Sequence, residues 1–325
     1  MASLGKYVRA SRCIRMLRHG PSTVEGPWLR QVTTSCQKIQ PISFAGSHRS
    51  LSIDTRIEKD GAHIDVTFKS GLPYDIPHEY DATWKPYLWC LQKVFHSVRA
   101  ALMRDRLFAD HIIDNKNGLY VLGCQNEISN AFYDVLDKNP TAPAVISIFL
   151  TDIGTTSEGV KHELRSLNNN ELLSSAYLKV VTVDLETRKP KPHSEQFIKK
   201  FTPYITGTGT ALMKALKYPG KSYKYTATVL PSDIDFYSHV SYLSFLKYCS
   251  NCASTAFKAV DMKNFTGDFE PYKVKKVSSL YLGEAKLHDK LDVDMWEDEE
   301  RRDTLNFIIS KAGANIFHCI VQLYV

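Results

Sequence analysis

The sequence predicts an α+β fold built from two similar halves, each a long helix followed by an antiparallel run of strands. Three observations carry this. Two stretches show a wide apolar face at helical spacing, short strand-like runs follow each of them, and a five-residue motif recurs at the entrance to each helix.

The first helical pattern runs Trp84, Tyr87, Leu88, Leu91, Val94, Phe95, Val98, Ala101, Leu102, a 3.6-residue period held over five turns. Strand-like runs follow at 119–128, 144–153 and 175–185, separated by turn-forming segments at 114–118 and 167–170. The second helical pattern is Val240, Leu243, Leu246, Cys249, Ala253, Ala256, Phe257, Val260, and strands are predicted at 277–282, 291–296, 304–310 and 315–324. Leu72-Pro73-Tyr74-Asp75-Ile76 matches Leu230-Pro231-Ser232-Asp233-Ile234 at an offset of 158 residues, which also brings Tyr87-Leu88 onto Phe245-Leu246. A repeat at the same structural point in both halves reads as a duplication. The expected division is 1–50, 51–205 and 206–325, with linker-like segments at 187–192 and 218–221.

Charge separates the first part from the rest. The 325 residues carry a net charge of +6, but residues 1–50 hold eight Lys/Arg against the single acid Glu25, leaving the remainder one unit negative. That distribution rules down a general nucleic-acid binder. Arg9, Arg12, Arg15 and Arg18 recur every three residues in a Ser-bearing, acid-poor stretch, the composition of a mitochondrial transit peptide, with a plausible processing point at 46–52. A secretory signal needs an unbroken apolar stretch that this segment lacks. The expected location is the mitochondrial matrix. No apolar run approaches the roughly 18–20 residues of a membrane span.

Cys13 and Cys36 fall in the basic segment. Cys90, Cys124, Cys249, Cys252 and Cys319 form no framework spacing and read as reduced, buried thiols. Cys249 and Cys252 lie mid-helix in an apolar stripe with no second pair nearby, so core packing outweighs a metal or redox role. Nothing in the pattern requires a metal or cofactor.

The segment Pro231-Ser232-Asp233-Ile234-Asp235-Phe236-Tyr237-Ser238-His239-Val240-Ser241-Tyr242-Leu243-Ser244-Phe245-Leu246 resembles the signature of hot-dog-fold thioesterases, D-x-D-x-x-G/Q-H-V-N-N leading into a helix. Asp233, Asp235, His239 and Val240 keep their places, and 280–291 looks like the following strand and turn, with Glu284 at the acidic position. The resemblance covers 222–325 well and 60–200 by element order. It implies two hot-dog domains, each a long helix wrapped by an antiparallel sheet, in the manner of 4-hydroxybenzoyl-CoA thioesterase-like proteins. It also implies hydrolysis of acyl-CoA or acyl-carrier-protein thioesters, with oligomers of tandem units compatible.

Departures are visible. Ser241-Tyr242 replaces the Asn pair, and Tyr237 stands where plant acyl-carrier-protein thioesterases, with D-x-N-x-H, carry Asn. Pro77 and Asp81 stand opposite Asp235 and His239, so one competent signature per chain is expected. Thioester hydrolysis needs a base or nucleophile beside the carbonyl and donors for the developing oxyanion. Asp235 is the candidate base or nucleophile, His239 the orienting or donating group, and Glu284 the alternative base that the resemblance implies. A helix starting near His239–Ser241 offers backbone N–H donors to substrate, Val240 and Ser241 among them. Tyr237 reads as a wall of the site, and Lys275 and Lys276 as contacts to coenzyme A phosphates or as a solvated charge run. An Asp before a helix is also a common cap, so capping of the helix or an Asx turn is the competing reading of Asp233 and Asp235. The competing reading is a non-catalytic hot-dog protein that binds acyl chains or joins a mitochondrial assembly; a dehydratase or hydratase would share the fold.

Overall fold

The computed structural model describes residues 53–59, 62–69, 71, 89–104, 116–139 and 141–325. The basic segment 1–50 and its processing point, the first copy of the repeat at 72–76, Pro77, Asp81 and the predicted helix start at 84–88 lie outside the described residues.

The elements in chain order are β1 Ile53–Glu58, β2 His63–Phe68, α1 Cys90–Arg104, β3 Asn117–Ile128, α2 Asn130–Lys138, β4 Ala144–Ile153, β5 Ser157–Ser166, β6 Leu172–Asp184, α3 Glu195–Phe201, β7 Tyr223–Thr228, α4 Tyr242–Ala259, β8 Val274–Tyr281, β9 Lys290–Glu297, β10 Thr304–Lys311 and β11 Ala314–Leu323. All eleven strands join one antiparallel sheet in the order β1-β2-β4-β5-β6-β3-β8-β11-β10-β9-β7. Without β1, each half has the same internal order: β2-β4-β5-β6-β3 and, mirrored about the seam, β7-β9-β10-β11-β8. A long helix follows the first strand of each set. The halves meet where β3 pairs with β8, from Gly123 opposite Leu280 to Glu127 opposite Lys276. An α+β fold with a helix over each antiparallel half-sheet is therefore what the sequence pattern predicted.

Local chemistry explains the packing. The stripe of α4 that faces the sheet is built from small residues, Cys249, Cys252, Ala253 and Ala256, all fully buried. Small side chains let its backbone settle close on β7 and β9, and Phe245 stacks on Phe317 of β11 at 5.1 Å between centroids. Burying each such ring contributes roughly 1.5–3 kcal/mol. The thiols of Cys124 and Cys252 are pushed up to about 12 by burial, so they pack as apolar groups.

The predicted strands β3, β4, β6 and β8 to β11 lie within a few residues of their expected bounds, whereas β1, β2, β5, β7, α2 and α3 were not foreseen. The segment 187–192 is not a linker. It is a turn after β6, in which Arg188 N–H donates to the Asp184 carbonyl at 2.8 Å and Lys191 N–H to that of Thr182 at 2.8 Å. The connection between halves runs instead from about 205 to 222 across the sheet face opposite α1 and α4. Gly207 N–H donates to Thr151 at 2.9 Å, and Leu216 N–H to His318 Nδ1 at 2.8 Å. A Cβ on Gly123 would meet Leu212 of this strap at 2.7 Å and the Ser279 carbonyl at 2.9 Å, so the seam strand needs glycine there.

Candidate active site

The 231–242 segment is folded by its own polar groups before any chemistry is considered. Asp233, 1% exposed, accepts hydrogen bonds from Leu230 N–H (2.9 Å), Lys247 Nζ (2.8 Å) and the Tyr248 hydroxyl (2.8 Å). It anchors the loop to α4 and is spent on structure. Ile234 and Val240 then form an isolated bridge, and the intervening residues turn back on themselves, with Asp235 N–H donating to the His239 carbonyl at 2.9 Å. Ser238 closes the turn at φ 65°, a left-handed conformation uncommon for a residue with a Cβ. The result sets Asp235 and His239 side by side, Asp235 Oδ1 lying 3.6 Å from His239 Nδ1.

The first half completes this pair. Tyr120 of β3 places its hydroxyl 2.9 Å from His239 Nε2, and its ring lies 5.1 Å from the imidazole and 5.5 Å from the Tyr237 ring. Arg188 Nη1 donates to the same hydroxyl at 2.6 Å, while Arg188 Nη2 is bonded to both carboxylate oxygens of Glu284. Arg188 also sits at φ 59°, held there by the Asp184–Lys189 turn. Donor logic orders the chain. A guanidinium only donates, so the Tyr120 oxygen accepts from Arg188 and its proton is left for His239 Nε2. The imidazole then turns Nδ1–H toward Asp235. His239 is 7% exposed, so this network fixes it within the protein.

Asp235 is held differently. Its Oδ1 accepts Tyr237 N–H at 2.8 Å. Burial raises its carboxyl above the ordinary aspartate range, against the pull of His239 and two backbone N–H groups, with Glu284 adding to the rise. A partly buried carboxylate with raised proton affinity is a better base than a solvated one.

The remaining predicted residues divide. Val240 is buried and donates its N–H to Ala285 at 2.8 Å, and Ser241 donates to Asp233 at 2.8 Å. Neither N–H is left for substrate, contrary to expectation. Ser241 caps α4 without a side-chain hydrogen bond. The Tyr242 and Leu243 N–H groups therefore take no partner among the described residues, at the positive end of the helix. Tyr237 is a wall of the site, its hydroxyl accepting Leu119 N–H at 3.1 Å. Lys275 and Lys276 are not brought to the site. Lys276 pairs with Glu127 at 2.8 Å, seven residues along β3 from Tyr120, or about 20 Å at strand rise. Tyr120 and Arg188 were missed because they come from the other half, joined to the signature by the seam alone.

The same architecture occurs in solved structures. An acyl-ACP thioesterase from Bacteroides thetaiotaomicron superposes with TM-score 0.60 at 12% identity, covering 82% of this chain and 100% of its own. The 12:0-ACP thioesterase from Umbellularia californica gives 0.61 at 11% identity, covering 81% and 97%. A protein assigned as an oleoyl thioesterase from Lactobacillus plantarum gives 0.62 at 12% identity, covering 82% and 98%.

The fold is a tandem hot dog.

No family model and no curated protein sequence matches the chain. At such identities the likeness is one of fold, so the chemistry of this tandem hot dog rests on its own residues. The Asp235–His239 pair lies in the second half, and Tyr120 and Arg188 of the first half orient it.

Proposed function

We propose that the chain is an acyl thioesterase, hydrolysing acyl-carrier-protein or acyl-CoA thioesters, with residues 51–205 and 206–325 as its two hot-dog domains. The observation that carries this reading is the ordered chain Asp235, His239, Tyr120, Arg188, Glu284 beside the open start of α4. The similar solved structures, acyl-ACP thioesterases among them, add support.

In this mechanism Asp235 takes a proton from water while the water oxygen attacks the thioester carbonyl. The oxyanion forms against the Tyr242 and Leu243 N–H groups, donors that need no rearrangement as charge develops. Collapse breaks the carbon–sulfur bond, and the proton on Asp235 passes to the departing sulfur, giving a fatty acid and a free thiol. His239 acts as a positioning residue, because its Nε2 is engaged by Tyr120. Glu284 serves through Arg188 and is not the base, since both its oxygens are bound to a guanidinium. Direct attack by Asp235 uses the same geometry: its oxygen displaces the thiolate from the carbonyl carbon to give an acyl anhydride, which water hydrolyses to the fatty acid and the restored carboxylate, the released proton going to the thiolate.

The test is thiol release by the purified full chain across acyl-CoA and acyl-carrier-protein substrates of graded length. Turnover that disappears in Asp235→Asn supports the reading. Absence of hydrolysis for every substrate rejects it.

The basic segment 1–50 is proposed to direct the protein to mitochondria, on the strength of its arginine spacing and lack of acid.

A further inference from the structure

The two hot dogs differ in what lies between helix and sheet. In the second, the positions of β10 and β11 that face α4 are Leu305, Phe307, Ile309 and Phe317, Cys319, Val321, all buried and apolar. The first has polar groups in the equivalent layer. Reading across the sheet, Ile148 of β4, His162 of β5, Ala176 of β6 and Asn126 of β3 stand opposite one another in register and share the face under α1. His162 and Asn126 are each 1% exposed, and Gln92 of α1 is 2% exposed.

Their hydrogen bonds are incomplete. Among the described residues, both ring nitrogens of His162, both amide atoms of Gln92 and Nδ2 of Asn126 have no partner at hydrogen-bonding geometry, although the Ala176 backbone approaches the His162 ring. Asn126 Oδ1 alone is satisfied, by the Ser174 hydroxyl at 3.0 Å. Burial, reinforced by the Arg99 charge, holds His162 down at about 3, so it is a neutral donor and acceptor at pH 7. An unmade hydrogen bond on a buried group is unfavourable, and native proteins leave few of them. Five such atoms in one layer, with the small Ala176 between His162 and Asn126, mark a place where something else completes the bonding.

That layer is connected to the proposed site. The Tyr242 ring, whose own N–H is an oxyanion donor, meets His96 of α1 edge-on at 5.4 Å and lies 5.9 Å under the Arg99 guanidinium. Phe95, on the adjoining turn, packs against His162 at 5.3 Å. Tyr242 and Val121 both pack against the Cys124, Leu178, Val180 cluster, and from Val121 to Asn126 is about 16 Å at strand rise, the reach of a medium-length acyl chain. The orphaned set contains donors (both amide nitrogens and one imidazole N–H) and acceptors (Gln92 Oε1 and the other imidazole nitrogen). A hydroxyl, which donates and accepts, matches it; a methyl terminus does not.

We infer that the layer beneath α1 receives the far end of an acyl chain bearing a hydroxyl, with His162, Gln92 and Asn126 as its hydrogen-bonding partners. This rests on the thioesterase reading for the position of the carbonyl but not for the binding itself. Hydroxylated chains are then favoured over plain chains of equal length, because a plain chain leaves the buried donors unmade.

The experiment is calorimetric titration of the full chain with dodecanoic acid and with 12-hydroxydodecanoic acid, for the wild type, His162→Phe, and the Gln92→Leu/His162→Phe pair. The hydroxy acid should bind the wild type about tenfold more tightly. Both variants should lose that preference and melt at higher temperature, since replacing an unpaired buried polar group by an apolar one of similar size relieves its desolvation. The single variant answers if the double one does not fold. Equal or undetectable binding of the two acids by the wild type, or a preference that survives His162→Phe, overturns the inference. The same two chains as CoA thioesters separate the two claims. Hydrolysis of both at equal efficiency defeats the hydroxyl site alone, and preferential binding without any hydrolysis defeats the thioesterase reading alone.

Discussion

Replacing Asp235 by Asn separates what the carboxylate does for the fold from what it does for chemistry. Its one hydrogen bond as acceptor at good geometry comes from Tyr237 N–H at 2.8 Å, and an amide oxygen accepts that equally well. Its approach to His239 is 3.6 Å, too long for a strong hydrogen bond. The structural loss is therefore bounded by about 1 kcal/mol, or roughly fivefold in any rate that depends on loop geometry. Loss of a positioned base costs about 10²–10⁴ in turnover. The two readings are thus a decade or more apart. Burial raises the Asp235 carboxyl in the folded chain, so ionising it opposes folding. In wild type that stability is present below the unfolded pKa near 4 and is lost as pH rises through the higher folded value. Asn removes the ionisation, so the variant should melt at the same or a higher temperature at neutral pH, the difference vanishing in acid. The base must be ionised to act, so the acid limb of wild-type kcat/KM should lie above pH 4 and fall as pH drops through the raised pKa. The assays are steady-state hydrolysis of a medium-chain acyl-CoA across pH, with thermal melts of both proteins. A loss below tenfold would remove Asp235 as the base.

Tyr120→Phe removes one hydrogen bond to His239 Nε2 and should lower kcat by about 3–10-fold with KM little changed, checked by the same steady-state assay. Glu284→Gln, which keeps shape but weakens the hold on Arg188, should cost less than tenfold; a loss as large as that of Asp235→Asn would show that Glu284 touches the reacting atoms. Asp233→Ala leaves Tyr248 and Lys247 without their shared acceptor and should destabilise the fold by about 2–4 kcal/mol in a denaturant titration. A reporter carrying residues 1–50 should enter mitochondria and fail to do so once Arg9, Arg12, Arg15 and Arg18 are Glu; entry by that variant would rule out import through these arginines.

What the sequence disclosed follows from which residues face the core. The runs at β3, β4, β6 and β8 to β11 are apolar at every inward position or nearly so, and their period of two is plain. β5 was hidden for the opposite reason. Its inward positions read Glu158, Val160, His162, Leu164, so alternation of apolar with polar is broken on the very face that should reveal it. The outward side chains Lys161, Glu163 and Arg165 pair among themselves at 2.8–2.9 Å and add charge to the pattern. A strand that defies its expected pattern while remaining fully buried is a place where packing yields to another requirement. The proposed hydroxyl site accounts for His162 in those terms.

The same logic explains why half of the candidate site was legible. Asp235 and His239 lie four residues apart, and one turn of chain brings them together; Glu284 follows at the end of the next strand. Tyr120 and Arg188 stand 119 and 96 residues from their partners His239 and Glu284, and only the β3–β8 seam joins them. Neither residue type announces itself in the sequence. The left-handed backbone of Arg188, like that of Ser238 across the site, identifies both as positions whose conformation is imposed by the surrounding turn. Each turn delivers one side of the network, Arg188 from the first hot dog and the Asp235–His239 loop from the second. A duplicated pair can therefore lose the signature in one half without losing the site, because what that half contributes is the orienting strand edge and its turn. In this chain the first half supplies Tyr120 and Arg188, which hold the second half's histidine in place.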